Sequence, residues 1–528
     1  MSNRRDLIKA TIGTASYAIV NAITKPVSGR GFLDYFGDNN KRRPNILFIM
    51  SDDHACQSIG AYGSKINKTP HIDRIANEGA ILLKNTCANS ICSPSRASIL
   101  TGKHSHINGV KNNTDVFDGS QQTFPKLLQK AGYKTGIIGK WHLHSNPTGF
   151  DHWDILPGQG HYYNPDFINE KGKRRVQGYN TDIITDFALN WMRQQEKSGS
   201  PFMLMCNYKA VHRPWLPNLK HLHLYEDNDI PQPPTLFDDY FGRQSPITKQ
   251  KMTIAKDMLL GYDLQVKPVD SNDINDLRMC DKPDSDYNRM NQEQKRIWNS
   301  FYELENEKFK KANLNGKELI NWKYQRFIKD YIKCVASLDE NIGRLLNYVD
   351  QSGIAEETVI IYCSDQGLFL GEHGFFDKRW MYEESLSMPF VIRWPKTIKP
   401  KTTFSELTQN IDIAPTLLEI AQVDIPNNIQ GRSFLSNLQG KKVKWRKSLY
   451  YHYCDVQGHN VAPHEGVFTQ RYKLIHFYKT REWEFYDLNS DPYEMVSRYH
   501  DPYYMDKIIE LKRELHSLKQ YYRISNDK

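Results

Sequence analysis

The sequence predicts an α/β fold, a layered sheet flanked by helices with a smaller C-terminal α+β subdomain, and three observations carry that expectation. Short apolar runs of buried-strand type recur through the chain, each followed by polar residues able to do chemistry. Helical patterns with three- to four-residue apolar spacing lie between them. After Pro426 the texture changes to several short strand-like segments and one terminal helix.

In chain order, residues 1–43 read as an export signal and linker. Arg4-Arg5 precede an apolar stretch from Ala10 to Ile23, with Ala22 at a cleavage point, in the manner of a twin-arginine signal. That stretch is too short to span a bilayer and no later run is long enough, so the protein is expected in the periplasm or secreted, with no stable membrane span. The first buried-strand run is Pro44–Met50, ending in Ser51-Asp52-Asp53-His54, and similar runs follow at Thr135–Ile138, Pro201–Met205 and Thr358–Tyr362. Open α/β sheets place their ligands at such carboxyl ends. The clearest helical stripe is Phe327, Tyr331, Val335, Leu338, Ile342 and Leu346. Residues 226–316 are rich in Asp, Asn, Lys and Met and read as a helical or loop insertion in a large domain over 44–425. In 426–528, strands are expected at Ser448–Tyr451, Gly466–Thr469, Tyr472–Tyr478 and Trp483–Tyr486, and a helix from Met505 to Tyr521.

A chain of 528 residues exceeds a comfortable single core, and 39% hydrophobic residues make it globular. The formal charge of +9 is dispersed among both signs, which suits an anionic substrate and gives no nucleic-acid-binding tail. The eight cysteines include no Cys-x-x-Cys pair and no zinc-ligand spacing, so mostly free thiols are expected. Cys206 and Cys363 lie in apolar runs and read as core.

Cys92 differs, because Cys92-Ser93-Pro94-Ser95-Arg96 sets a thiol, a turn, hydroxyls and a guanidinium within five residues. Pro94 restricts the backbone, the following residues can open a helix whose N-terminus favours an anion, and Arg96 can meet that anion with two parallel donors. Taken alone, the run is equally compatible with a buried thiol near a capping serine. Two further groups bear on it. Asp52, Asp53, Asp365 and Gln366 offer only oxygen ligands, the preference of calcium or magnesium, and carboxylates converging without a cation would repel one another. Arg96, Lys140, His142, His212 and Lys378 form a cationic set able to cradle a sulfate or phosphate. Each residue alone is more often an ordinary surface or hydrogen-bonded group; their joint placement at strand ends and turns argues otherwise.

From Pro44 to its end the chain resembles a type I, formylglycine-dependent sulfatase of the alkaline-phosphatase-like superfamily, and is similar to bacterial polysaccharide sulfatases. The matching pieces are Ser51-Asp52-Asp53, Cys92–Arg96 with Leu100-Thr101-Gly102, Gly132–Thr135 with Gly139–His142, His212, Ser364–Gly367, and Gly371-Glu372-His373 with Lys378. The resemblance implies a large, mixed, mostly parallel sheet and a catalytic domain over 44–425. It implies that a formylglycine-generating enzyme oxidises Cys92, that the aldehyde hydrate is the nucleophile and that unmodified Cys92 is inactive. A cation, Ca2+ in preference to Mg2+, would be held by Asp52, Asp53, residue 92 as formylglycine, Asp365 and Gln366, the last standing where asparagine or histidine is also common. Arg96 and Lys140 would hold the nucleophile, Lys140 and Lys378 the sulfate charge, His212 would protonate the leaving sugar oxygen and His142 would assist sulfate release.

The substrate implied is a sulfated carbohydrate, with ulvan or another marine polysaccharide preferred and a glycosaminoglycan carrying N-acetylglucosamine 6-sulfate as the alternative. Arg213, Trp215, Trp380, His459 and His464 are sugar-binding candidates on residue type alone, for each of which packing is the competing role. A phosphonate monoester hydrolase or phosphodiesterase of the same superfamily, and a non-catalytic sulfated-glycan-binding protein, are the competing functions.

Overall fold

The structure is a computed structural model, described over residues 43–266, 283–455 and 460–524. Its main sheet has ten strands in the order Thr402–Phe404, Ala80–Leu82, Phe390–Arg393, Thr358–Ser364, Asn45–Ser51, Phe202–Asn207, Lys134–Lys140, His152–Leu156, Asp166–Asn169 and Gly172–Arg175. The five consecutive strands from Thr358–Ser364 to His152–Leu156 run parallel to one another, and antiparallel pairings join them to the flanking strands. The expected large, mostly parallel sheet is therefore present, and the four predicted strands form its centre.

Those four strands are apolar on both faces because both faces are covered. Along Asn45–Ser51, Leu47 and Ile49 join a core with the helices Pro70–Asn77, Asn180–Glu196 and Gly316–Gln351. Ile46, Phe48 and Met50 point the other way, into a core with the helices Cys92–Thr101, Phe124–Lys130 and Ile413–Ile420. A two-residue period feeding two opposed cores requires such a continuous hydrophobic run. Register then aligns the strand ends: Met50 is level with Asn207 and Cys363, Ser51 with Ser364, and Gly139 with Asn207. Whatever follows these residues in sequence is delivered to one edge of the sheet.

Among the described residues, the 226–316 segment contains helices at Ser245–Thr248, Asp286–Arg289 and Gln292–Ala312 joined by loops. The C-terminal sheet is four antiparallel strands, Ser448–Tyr453, His464–Thr469, Tyr472–Phe477 and Glu482–Asp487. On one face Tyr450, Val467, Leu474 and Phe485 receive Ile508, Leu511 and Leu515 of the terminal helix Met505–Tyr521. Each such aliphatic side chain contributes about 1.5–3 kcal/mol by burial. The other face packs Leu449, Tyr451, Phe468 and Tyr486 against Trp380, Met381 and Tyr382, so it backs the loop that carries Lys378. Among the described residues no helix is long and apolar enough to cross a membrane. The seven described cysteines are free, as expected, and Cys280 lies outside the described residues.

Candidate active site

Four strand ends and one helix start build the site. Asp52 and Asp53 follow Ser51, Asp365 and Gln366 follow Ser364, Lys140 ends its own strand, and His212 lies in the loop after Asn207. Main-chain bonds zip these segments together: Asp52 N–H donates to the Ala210 carbonyl at 3.0 Å, Val211 N–H to the Asp52 carbonyl at 2.7 Å, and Asp365 N–H to the Ser51 carbonyl at 3.3 Å. Cys92 is the first residue of the helix Cys92–Thr101, and Pro94 sits in its first turn, where a missing N–H costs nothing. The Cys92 thiol faces Asp52, with Sγ 3.4 Å from Oδ1. Burial, and then Asp52, push that thiol up to about 12, so as a cysteine it is not a thiolate nucleophile at neutral pH.

The carboxylates of Asp52, Asp53 and Asp365 converge, each buried, with one oxygen from each within 4.8 Å of the others. The chain's own cations stand on them. Lys140 Nζ donates to Asp52, Lys378 Nζ to both oxygens of Asp53, and Arg96 grips Asp365 Oδ2 through Nε at 3.0 Å and Nη2 at 2.9 Å. Burial would raise the Asp52 carboxyl, but Lys140, His212, Arg96 and Lys378 together hold it well below the usual range. The other two go the opposite way: burial and the neighbouring Asp52 raise Asp53 against Lys378, and burial with Asp52 pushes Asp365 up to about 7 against Arg96. More positive charge is called for than the side chains provide. Gln366 completes the ring with a buried Oε1 that has no hydrogen-bond partner, while its amide nitrogen points at Asp53 and lies 3.6 Å from Cys92 Sγ. Three carboxylates and an orphaned amide oxygen are an oxygen-only donor set, which fits a hard divalent cation.

The remaining predicted groups border this ring. His142 is buried, with Nδ1 3.4 Å from the hydroxyl of Ser93, the residue after Cys92. Its pKa is held well below the ordinary histidine value by burial and then by Lys140. His212 Nδ1 bonds the Arg213 carbonyl at 2.5 Å, which turns Nε2 toward Asp53, 3.9 Å away. Burial and then Lys140 likewise hold its pKa well below the ordinary histidine value. Backbone strain concentrates here: Asp53, His142, Asp377 and Arg379 have φ of 62°, 55°, 87° and 92°, uncommon for residues with a Cβ, and the last two flank Lys378. Gly139 shows what the local chain demands, because at φ 101° a Cβ would lie 1.9 Å from the Asn207 carbonyl oxygen. Only glycine lets the strand deliver Lys140 at that point.

The described sugar-binding candidates all have partners within the protein. Trp215 is 1% exposed and packs on Phe327, Trp380 is 1% exposed with its indole N–H on Met252 Sδ, and His464 is wholly buried among Trp380, Tyr451 and Phe477. Arg213 spends its guanidinium on Asp263 through bonds of 2.7 and 2.8 Å. Their placement is explained by packing and pairing, so no sugar contact is proposed for them; His459 lies outside the described residues. The structure adds groups without a sequence signal. Gln159 accepts from Lys140 Nζ at 2.5 Å, Asn113 Oδ1 accepts the Ser93 N–H at 3.1 Å, and Ser95 and Asn410 tie the helix Cys92–Thr101 to the Asp365 carbonyl.

The family model described as Sulfatase matches residues 44–423, and one described as N-sulphoglucosamine sulphohydrolase, C-terminal, matches 371–521. The chain is 46% identical over 491 residues to an N-acetylglucosamine-6-O-sulfatase of Bacteroides thetaiotaomicron, covering 91% of this chain and 87% of that protein. A solved structure of a protein in complex with its substrate D-glucosamine-2-N,6-O-disulfate superposes with a TM-score of 0.88 at 44% identity, over 92% of this chain and 99% of that one. An ulvan-active sulfatase of Formosa agariphila is 23% identical over 472 residues, 86% of this chain and 76% of that protein.

Proposed function

The chain belongs to the sulfatase family, and on that premise we propose that it removes the 6-O-sulfate of a glucosamine-type sugar. It is a sulfuric ester hydrolase. The observation that carries the site assignment is the buried ring of Asp52, Asp53 and Asp365 beside Cys92, crowned by Lys140, Lys378 and Arg96. The substrate reading is supported by the curated match of 46% identity and the solved structure of 44% identity, whose printed descriptions both carry a glucosamine 6-sulfate, whereas ulvan is named by a relative of 23% identity. That order reverses the preference drawn from sequence.

In the proposed mechanism residue 92 is the nucleophile position. Oxidised to formylglycine by a generating enzyme, it would supply an oxygen nucleophile as its hydrate and, as an aldehyde, a route to shed sulfate; Ca2+ held by Asp52, Asp53, Asp365, Gln366 and that residue would supply positive charge. The protein's own groups have separable tasks. Lys140 and Lys378, whose ammoniums stand on Asp52 and Asp53, are the donors available to sulfate oxygens as negative charge grows there. Arg96 fixes Asp365 and, through Nη1 at 2.9 Å, the Lys140 carbonyl, so the acid and the lysine keep their geometry. His212 directs Nε2 inward and delivers a proton from it to the leaving sugar oxygen; an anionic ester beside the ring acts in the same direction as Asp52 and favours the protonated form. His142, next to Ser93, handles the proton of the second half-reaction. Export to the periplasm belongs to the same proposal, on the Arg4-Arg5 leader, which lies outside the described residues.

Sulfate release should be compared on N-acetylglucosamine 6-sulfate, glucosamine N,6-disulfate, ulvan oligosaccharides and an aryl phosphonate, using protein whose residue 92 has been verified as formylglycine. Preferential release from the 6-sulfated hexosamines is expected. Faster turnover of ulvan would overturn the substrate, and preferential phosphonate cleavage would overturn the ester class.

A further inference from the structure

Lys209 is a buried cation beside the site that no step above uses. It comes two residues after the strand Phe202–Asn207, and its carbonyl accepts the N–H of His212 at 3.0 Å, so its backbone is part of the turn that aims the proposed acid. Its side chain is 2% exposed, and Nζ stands 4.8 Å from the centroid of the Tyr162 ring. The Tyr162 hydroxyl in turn donates to the His212 carbonyl at 2.7 Å. One aromatic residue thus roofs the lysine and braces the histidine.

The other cations of the site each have a counter-charge: Lys140 has Asp52, Lys378 has Asp53 and Arg96 has Asp365. Among the described residues no carboxylate lies within ion-pair distance of Lys209, whose contact is the Tyr162 face. Lysine is almost never buried without a partner, because a desolvated ammonium lacking a counter-charge costs stability. The turn that Lys209 belongs to carries His212, whose Nε2 is 3.9 Å from Asp53, so Lys209 borders the same cradle; burial and then Lys140 lower its pKa to about 8, with Asp286, Asp52 and Asp53 acting the other way from beyond ion-pair distance. A buried charge without an ion-pair partner at a catalytic pocket is most simply explained by a ligand that brings a counter-charge.

We propose that Lys209 binds an oxyanion of the substrate at the cradle it shares with Lys140 and Lys378, acting as a specificity-determining residue. The inference rests on the sulfatase reading above. The oxyanion has two sources with the same chemistry: the sulfate being transferred, or a second sulfate on the sugar.

The test compares wild type, Lys209→Met and Lys209→Arg, each verified for formylglycine at residue 92, on glucosamine 6-sulfate and glucosamine N,6-disulfate, with inorganic sulfate as inhibitor. A charge-assisted contact predicts that Lys209→Met raises KM about tenfold or more with kcat nearly unchanged, that Lys209→Arg restores it, and that Lys209→Met melts no lower than wild type. A rise confined to the disulfate identifies the second sulfate; a rise on both sugars with weakened sulfate inhibition identifies the transferred one. KM and sulfate inhibition within about twofold of wild type throughout would overturn the proposal, twofold being under half the free energy of a tenfold change. So would a lowered melting temperature with parallel loss of kcat that arginine does not rescue. If wild type releases no sulfate from either sugar, the proposed function fails instead, and the melting shift that inorganic sulfate gives wild type, set against that of Lys209→Met, still decides Lys209.

Discussion

Replacing Arg96 by methionine tests the charge balance of the site. Methionine keeps an unbranched stem in a position 2% exposed and deletes the guanidinium. Asp365 then loses, at Oδ2, the 3.0 Å hydrogen bond from Nε and the 2.9 Å ion-pair contact of Nη2, and is left as a buried carboxylate facing Asp52 and Asp53. The Lys140 carbonyl loses its 2.9 Å bond from Nη1 but retains one from Asn207 Nδ2 at 3.1 Å, so it adds little to the deficit. Removing one partner of a buried ion pair costs about 3–5 kcal/mol. Arg96→Lys retains a charge but not the planar fork, and should lose about 1–3 kcal/mol. Denaturant unfolding measures both, and sulfate-release kcat should fall about 10²- to 10³-fold in Arg96→Met as a preorganised charge is lost. Arg96→Met unfolding within about 1 kcal/mol of wild type would refute the reasoning, because Asp365 would then not depend on Arg96 for its charge.

Gly139→Ala should fail to fold or lose more than about 3 kcal/mol, since the new Cβ meets the Asn207 carbonyl oxygen at 1.9 Å; soluble yield and unfolding midpoint check it. Chelation should abolish sulfate release and lower the melting temperature, with calcium restoring both; a site kept at a hundredfold over its Kd gains about 2.7 kcal/mol from the ion, and a chelated enzyme with unchanged rate and melting would contradict the cation assignment. Glu465 gives a pH dependence of the C-terminal sheet. Burial would raise its carboxyl, but His476 and Lys519 outweigh that and bring it down to about 2. A depressed folded pKa stabilises above the unfolded value near 4.5 and loses that contribution as pH falls toward 2, so Glu465→Gln should cost about 2–3 kcal/mol at neutral pH and progressively less in acid unfolding.

Much of this was legible because the central strands are buried on both faces and so read as continuous apolar runs. The strands Asp166–Asn169 and Gly172–Arg175 were not, because an edge hairpin ending in Lys173-Arg174-Arg175 has one side in solvent and carries charge. Ala80–Leu82 is too short to show a period. The helical stripe from Phe327 to Leu346 was visible, while the first turns from Gly316 are polar and its start was not. The ring of carboxylates was readable because its members follow strand ends, where residue type and position both inform. Trp215, Trp380 and His464 were ambiguous because aromatic residues in mixed surroundings look alike in a sugar platform and in a core. Gln159 and Lys209 acquire meaning only once loops fold over the strand ends, and no spacing rule announces that.

The central claim is that Cys92 is the precursor of the nucleophile and not the nucleophile itself. Its direct test is mass spectrometry of the peptide carrying residue 92, paired with sulfate release from glucosamine 6-sulfate by the same preparations. The account predicts an aldehyde in place of the thiol and a rate proportional to the converted fraction. Full-rate sulfate release from protein carrying only intact cysteine at position 92 would contradict it.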